Sequence, residues 1–282
     1  MKVSGFTIIR NGIKLAYPVV ESIKSILPIC DEFIVAVGQG EDDTLGLIES
    51  IKDPKIKIVQ TVWDLSQKEQ VLSVQTNIAL SHCRGDWAFY LQTDEVIHEA
   101  DLPKLRACMQ RYLNDPSVDA LRFKWLHFFG SHYRYRIDKG WYQKQDRIIR
   151  NNGQVRSYGD AFAFERVDGK PLRSKYTGCF LYHYGWVFTQ EQMARRRLNQ
   201  GEIWDVDRSQ EKQTGKYDFG DLKRFPVYFG THPKVMSDLI AAHPVSVADW
   251  KAIKARYWWN IFVLLRVRYK TGRRVKYPID QR

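Results

Sequence analysis

An apolar run, Trp87-Ala88-Phe89-Tyr90-Leu91, ends directly in Gln92-Thr93-Asp94-Glu95. Carboxylates at the tip of a strand offer hard oxygen ligands of the kind that hold Mg²⁺ or Mn²⁺, and such ions are commonly shared with a diphosphate. An acidic site can bind an anionic ligand in this way. The same acidic pair also suits a solvated cap between a strand and the helix after it. Arg147 and Arg150, in Gln145-Asp146-Arg147-Ile148-Ile149-Arg150, alternate with apolar residues as outward positions of a strand do, where they either hold phosphate or meet solvent. The triple Arg195-Arg196-Arg197 spreads over different helix faces, so not all of it can serve one site.

The elements that must position these residues are legible in the first 120 positions, where short β-branched runs alternate with longer amphipathic stretches. That is the pattern of strands and crossover helices in a mostly parallel α/β sheet. Val3–Ile9, Phe33–Val37, Ile56–Val59 and Trp87–Leu91 read as strands; Tyr17–Leu27, Thr44–Lys52, Glu69–Cys83 and Asp101–Leu113 read as helices. Ligands of such sheets bind outside the carboxyl ends of the strands. The residues placed there are Arg10-Asn11, Gly38 to Asp43, Trp63-Asp64 and Gln92 to Glu95. Asp119–Phe129 predicts a further strand, His132 to Arg150 a hairpin completing the sheet, and Gln190–Trp204 a helix. Residues 151–180, with Gly153, Gly159, Gly169 and Pro171 among polar residues, predict a loop-rich segment near a site.

Net charge is +12 over 282 residues, but its distribution says more than its total. Residues 1–120 hold 12 Lys/Arg against 17 Asp/Glu, residues 121–222 hold 19 against 12, and residues 223–282 hold 13 against 3. The chain therefore divides into an acidic first part over 1–120, a moderately basic middle over 121–222 and a strongly basic helical extension over 223–282. The extension calls for an anionic partner such as membrane lipid, a phosphorylated substrate or nucleic acid. Within it, Ser246-Val247-Ala248-Asp249 has the form of a capping box opening a helix to about Lys270. The apolar centre, Tyr257 to Leu265, is short of the about 20 residues that span a bilayer. It suits an interfacial helix on an anionic membrane surface, or a helix packed on the protein's own core. No signal peptide can be read after Met1, which predicts a cytoplasmic protein, peripheral on the inner face of the cell membrane if the interfacial reading holds. Cys30, Cys83, Cys108 and Cys179 are far apart, which suggests reduced core residues rather than a disulfide framework or zinc cluster.

Asp31-Glu32-Phe33-Ile34-Val35-Ala36-Val37 running into Glu41-Asp42-Asp43-Thr44, after a strand, an Asn and a helix, resembles the opening of the GT-A-type family 2 glycosyltransferases. Asn77-Ile78-Ala79-Leu80, Gly85-Asp86-Trp87 and Leu91-Gln92-Thr93-Asp94-Glu95 are similar to that family's Asn-x-Ala-Leu, Gly-Asp-Trp and Leu-Asp-x-Asp-Glu segments, in the same order. Leu181-Tyr182-His183-Tyr184-Gly185-Trp186 resembles a His-Tyr-Gly segment of some members. Two positions depart from the pattern: Val37 stands where the family often has a base-contacting Asp, and Gln92 replaces the first Asp of Asp-x-Asp.

The resemblance implies a GT-A-like, Rossmann-like sheet in a catalytic unit over 1–222, with a donor half at 1–120 and an acceptor half at 121–222, and transfer of a sugar, with inversion, from a nucleotide-diphosphate donor to a hydroxyl of a glycan or lipid-linked acceptor, in cell-surface glycan synthesis. It implies a divalent metal, Mn²⁺ or Mg²⁺, on Asp94, with His183 as a further ligand or diphosphate contact. A lone histidine among aromatics also fits a hydrogen-bonded core residue. Arg10, Asn11, Asp43, Asn77, Gln92 and Arg147 are the expected donor-binding residues. Asp160 and then Glu165, in Gly159–Glu165, are the candidates for the general base that takes the acceptor's proton, with an ordinary turn Asp as the alternative at 160. A basic nucleic-acid-binding protein competes through the aromatics and arginines of Phe123–Arg136, but the acidic first part opposes it and no nucleic-acid partner is expected. A nucleotidyltransferase on a similar sheet would call for a Gly-rich phosphate loop after the first strand, and none is present.

Overall fold

The computed structural model describes residues 1–138, 140–204 and 206–242. The expected capping box at Ser246 and the apolar and basic helix after it lie outside the described residues. Strands Val3–Ile9 (β1), Glu32–Gly38 (β2), Ile56–Thr61 (β3) and Trp87–Tyr90 (β4) lie parallel in the order β3-β2-β1-β4. Every residue of β1 and β2 is buried, because helices cover both faces of the sheet. Alternation assigns the faces. Val3, Ile9, Phe33 and Val35 pack with Val19, Ile23 and Ile26, which recur at helical spacing on Val19–Ile26 (α1), and with Leu105 and Met109 of Leu102–Arg111 (α4). Phe6, Ile34, Ala36 and Tyr90 face the other way, against Ala79 of Gln70–Ser81 (α3). Thr44–Glu49 (α2) follows β2 and is capped by Asp43, whose carboxylate accepts from the Gly46 amide.

The remaining strands are Glu95–Val96 (β5), Ala120–Phe128 (β6), Tyr135–Arg136 (β7), Lys144–Arg150 (β8) and Ser174–His183 (β11), with Val155–Tyr158 (β9) and Ala163–Arg166 (β10) forming a separate hairpin. They extend the sheet as β4-β8-β6-β11-β5, with β7 on β6. Only the β6–β11 pairing among these is parallel, so the sheet is mixed rather than mostly parallel. The α/β architecture, a central sheet flanked by helices, is otherwise as expected. The loop-rich expectation for 151–180 is corrected: those residues hold β9, β10 and most of the ten-residue β11. A bulge hides β11 from the sequence pattern, since Gly178 adopts φ +73° where the register against β6 shifts.

Gln190–Trp204 forms α5 at the expected bounds. Ser209–Thr214 (α6) and Ser237–Ala242 (α7) follow. Tyr228 and Met236 pack with Phe128 and Tyr182, so the described start of the basic extension shares a core with the residues before it. Among the described residues no helix is long and apolar enough to cross a membrane.

Candidate active site

Register builds the site. β11 pairs with β6 so that His183 lies opposite His127, and with β5 so that His183 lies opposite Glu95, which brings Asp94 to the same row. This row, the carboxyl ends of β1 and β4, and α5 enclose a cavity of about 410 Å³. Its lining includes Arg10, Gln92, Asp94, Asp160, His183 and Arg196.

Asp94 is buried. Its Oδ2 accepts a hydrogen bond of 2.9 Å from Arg196 Nη2, and its Oδ1 faces His183 Nε2 at 3.8 Å. Burial alone would raise the Asp94 carboxyl, but the charges of His183, when protonated, and of Arg196 outweigh it and hold its pKa below the ordinary value. His183 is itself pushed down by burial, against the pull of Asp94 and Glu95. Its Nδ1 lies 3.0 Å from His127 Nδ1, and His127 Nε2 lies 2.6 Å from the Tyr142 carbonyl oxygen. Burial, and the charge of the neighbouring His183 when protonated, push His127 down to about 3.

The pair Asp94 and His183 fits a divalent ion. Two neighbouring ligands at right angles, each about 2.1 Å from an ion, lie about 3.0 Å apart, so a small inward shift closes the 3.8 Å gap. Gly185 keeps the approach open: a Cβ there would sit 2.6 Å from His183 Nε2 and 2.7 Å from Asp94 Oδ2. No group of three or more His, Cys, Asp or Glu that could hold a metal occurs among the described residues, so the remaining ligands of such an ion would come from a bound diphosphate and water.

Arg196 is the group that sequence reasoning missed. It is 2% exposed, and its guanidinium lies 4.1 Å from the ring centre of Tyr17 and 4.2 Å from that of Phe188. Nε and Nη1 are buried without a hydrogen-bond partner. Buried donors left unmade are costly, and an anion in the cavity would satisfy them. The chain does carry a signal for it: Met193, Arg196, Gln200 and Ile203 recur at helical spacing, which puts one arginine of the triple on the inward face of α5.

The other expected site residues divide. Arg10 lines the cavity and donates to the Gln39 carbonyl, and Gln92 lines it beside the Ala161 carbonyl. Asp160 lines it in a tight turn, accepting weakly from the Phe162 amide while Ala161 adopts φ +60°. Asn11, Asp43, Asn77, Arg147 and Glu165 do not line it. Asn11 accepts from the Glu41 amide and shapes the loop after β2, and both polar atoms of Asn77 clamp α3 to Ser157 of β9. Glu165 pairs with Arg156 on the β9–β10 hairpin.

The outward reading of Arg147 and Arg150 is corrected. β8 lies between β4 and β6, and every residue from Gln145 to Ile149 is buried, so both of its faces are covered over that stretch. Arg147 is fully buried, clasps Glu95 through Nε (2.8 Å) and Nη2 (2.9 Å), and donates Nη1 to the Phe162 carbonyl. It thereby ties the strand tip carrying Asp94 to the turn carrying Asp160. Arg150 spends its nitrogens on the carbonyls of Tyr112, Leu113, Asp115 and Val118 behind α4.

The solved structures that resemble this chain include a mannosyltransferase and S. aureus TarS. The mannosyltransferase PcManGT from Pyrobaculum calidifontis, solved with GDP-Man and Mn²⁺, is 18% identical, with a TM-score of 0.35 over 45% of this chain and 36% of that one. S. aureus TarS is 15% identical, with a TM-score of 0.45 over 76% of this chain and 42% of that one, so the chain spans less than half of TarS. A TarS fragment solved with UDP is 17% identical, with a TM-score of 0.45 over 76% of this chain and 69% of that one. No protein-family model and no curated protein matches the sequence. At these identities and TM-scores the role of each residue rests on its own geometry.

Proposed function

We propose that the cavity binds a nucleotide-diphosphate sugar and transfers the sugar to a hydroxyl of a glycan or lipid-linked acceptor, with inversion, in cell-surface glycan synthesis. The observation that carries the reading is the convergence of Asp94, His183 and the unsatisfied donors of Arg196 on one cavity that Asp160 also lines. Asp94 Oδ1 and His183 Nε2 would hold Mn²⁺ or Mg²⁺, which when bound neutralises charge on the leaving diphosphate. Arg196 adds a fixed cation that costs no reorganisation, because two aromatic rings and Asp94 already hold it. Asp160 takes the acceptor's proton as its oxygen attacks the anomeric carbon. The bond from that carbon to the phosphate oxygen breaks, and the nucleoside diphosphate leaves with the electron pair.

Incubation with labelled UDP- and GDP-sugars in the presence of Mn²⁺ should release free nucleoside diphosphate. The same nucleotides should raise the melting temperature only when metal is present. Release of pyrophosphate from a nucleoside triphosphate and a sugar 1-phosphate, with no nucleoside diphosphate formed from the nucleotide sugars, would instead make the enzyme a nucleotidyltransferase. Asp160→Asn is expected to lower turnover by about 10²–10⁴-fold while leaving donor binding intact, the range for loss of a positioned base. Loss on Glu165→Gln with Asp160→Asn nearly silent would move the role to Glu165.

The same reading places the enzyme in the cytoplasm at the inner face of the membrane, supported by the 13 basic residues against 3 acidic ones in 223–282. Co-sedimentation with vesicles should require acidic lipid and weaken when Arg266, Arg268, Arg273 and Arg274 become Gln. Equal binding to neutral vesicles would refute it.

A further inference from the structure

We propose that His127 is a positioning residue for the metal site: it holds His183 in the tautomer protonated at Nδ1, so that the Nε2 lone pair of His183 faces Asp94. The proposal rests on the reading of Asp94 and His183 as metal ligands and adds what fixes one of them.

The direction of each hydrogen bond follows from its partner. The Tyr142 carbonyl can only accept, so the proton on the His127 side of the 2.6 Å contact belongs to His127 Nε2. His127 is buried against the Trp125 and Trp141 rings, where an imidazole keeps a single ring proton, so its other nitrogen carries the lone pair and His127 Nδ1 accepts. The nitrogen 3.0 Å from it, His183 Nδ1, must be the donor. That leaves the lone pair of His183 on Nε2, the atom facing Asp94 Oδ1 at 3.8 Å. In the opposite tautomer two lone pairs would meet at 3.0 Å between the histidines, and an N–H would stand where the ion binds. A metal-bound histidine commonly has its other nitrogen held in this way, although usually by a carboxylate or carbonyl.

Packing fixes the rings as well as the protons. Trp125 stacks on His183, with centroids 5.2 Å apart and planes 5° from parallel, and meets His127 edge-on at 4.4 Å. Neither imidazole can flip without displacing the indole. The anchoring carbonyl belongs to a loop whose Tyr142 ring stacks on Phe162, beside the turn that carries Asp160. One line of contacts therefore runs from the Asp160 side of the cavity, through His127, to the metal ligand.

Histidine tautomers are read directly by NMR of isotope-labelled wild-type protein without metal. His183 should show a protonated Nδ1 and an unprotonated Nε2. Mn²⁺ affinity in the presence of UDP, followed by electron paramagnetic resonance, should fall at least about 10-fold in His127→Leu, the scale expected when the group orienting a ligand is removed. His127→Asn, whose amide oxygen can replace Nδ1 as acceptor, should recover most of it. A protonated Nε2 on His183, or equal Mn²⁺ affinity in folded His127→Leu, overturns the proposal while leaving the metal site standing. Unchanged Mn²⁺ affinity in His183→Ala overturns the metal reading itself, and the proposal with it.

Discussion

Asp94→Asn is expected to abolish Mn²⁺-dependent nucleotide binding and, in addition, to destabilise the fold by about 3–5 kcal/mol, the cost of breaking a buried ion pair from one side. The first effect follows from removing the negative charge that faces His183 across the proposed ion site. The second follows from Arg196, whose buried guanidinium would keep its charge and lose the carboxylate that offsets it. From sequence alone Asp94 is an acid on a solvent-facing strand end whose loss the fold survives at little cost. Its burial and its ion pair correct this.

Calorimetry of UDP with and without Mn²⁺, together with urea unfolding, measures both effects. Because the folded-state pKa of Asp94 is depressed, its contribution to stability is complete above the ordinary Asp value of about 3.9 and is lost as pH falls through the lower folded value. The stability difference between wild type and variant should therefore shrink as pH falls below the ordinary Asp value. Gly185→Ala supplies the matching control. It keeps every charge but puts a methyl group between His183 Nε2 and Asp94 Oδ2, so it too should lose metal-dependent binding. Metal-dependent UDP binding by folded Asp94→Asn at wild-type strength would remove Asp94 from the site.

Arg196→Met should weaken UDP binding at saturating Mn²⁺ by about 100-fold or more. Two charge-assisted hydrogen bonds, from Nε and Nη1 to a diphosphate, are worth about 1.5–3 kcal/mol each, and about 2.8 kcal/mol is about 100-fold in affinity. Methionine keeps the apolar stem between Tyr17 and Phe188, so packing is the smaller loss. A cycle with Asp94→Asn separates structure from function: the double variant should recover part of the stability that Asp94→Asn loses, because no unpaired charge is left buried. It should recover none of the nucleotide binding. UDP affinity equal to wild type in Arg196→Met would reduce Arg196 to a structural partner of Asp94.

Five strands of the sheet, β1 to β4 and β6, and part of the site are legible in the chain itself. β1 to β4 and the helices between them follow from period-two and period-3.6 runs, because each element buries a face whose pattern is local. Asp94 and Gln92 stand at the cavity because a strand's carboxyl end is a local property of the chain. The same holds for Arg10 after β1 and for Asp160 in its Gly-Asp turn. β11 escapes such a reading because a glycine bulge breaks its alternation, and Arg147 is misplaced by it because alternation shows that a strand has two faces without showing what covers them. Asn77 and Asn11 have the side chains of ligand contacts, but their hydrogen bonds are spent on Ser157 and the loop at Glu41.

What the sequence determined by itself is therefore the set of elements and the edge of the sheet where chemistry belongs, since propensity and periodicity act over a few residues. What only the tertiary structure decided is which side chains meet there. β11 entering the sheet between β6 and β5 sets His183 opposite His127 and Glu95, and α5 packing across the opening brings one arginine of three onto Asp94. Such pairings are set by strand register and helix docking, which depend on how distant surfaces fit; periodicity marks Arg196 as inward on α5 but does not show what it meets there.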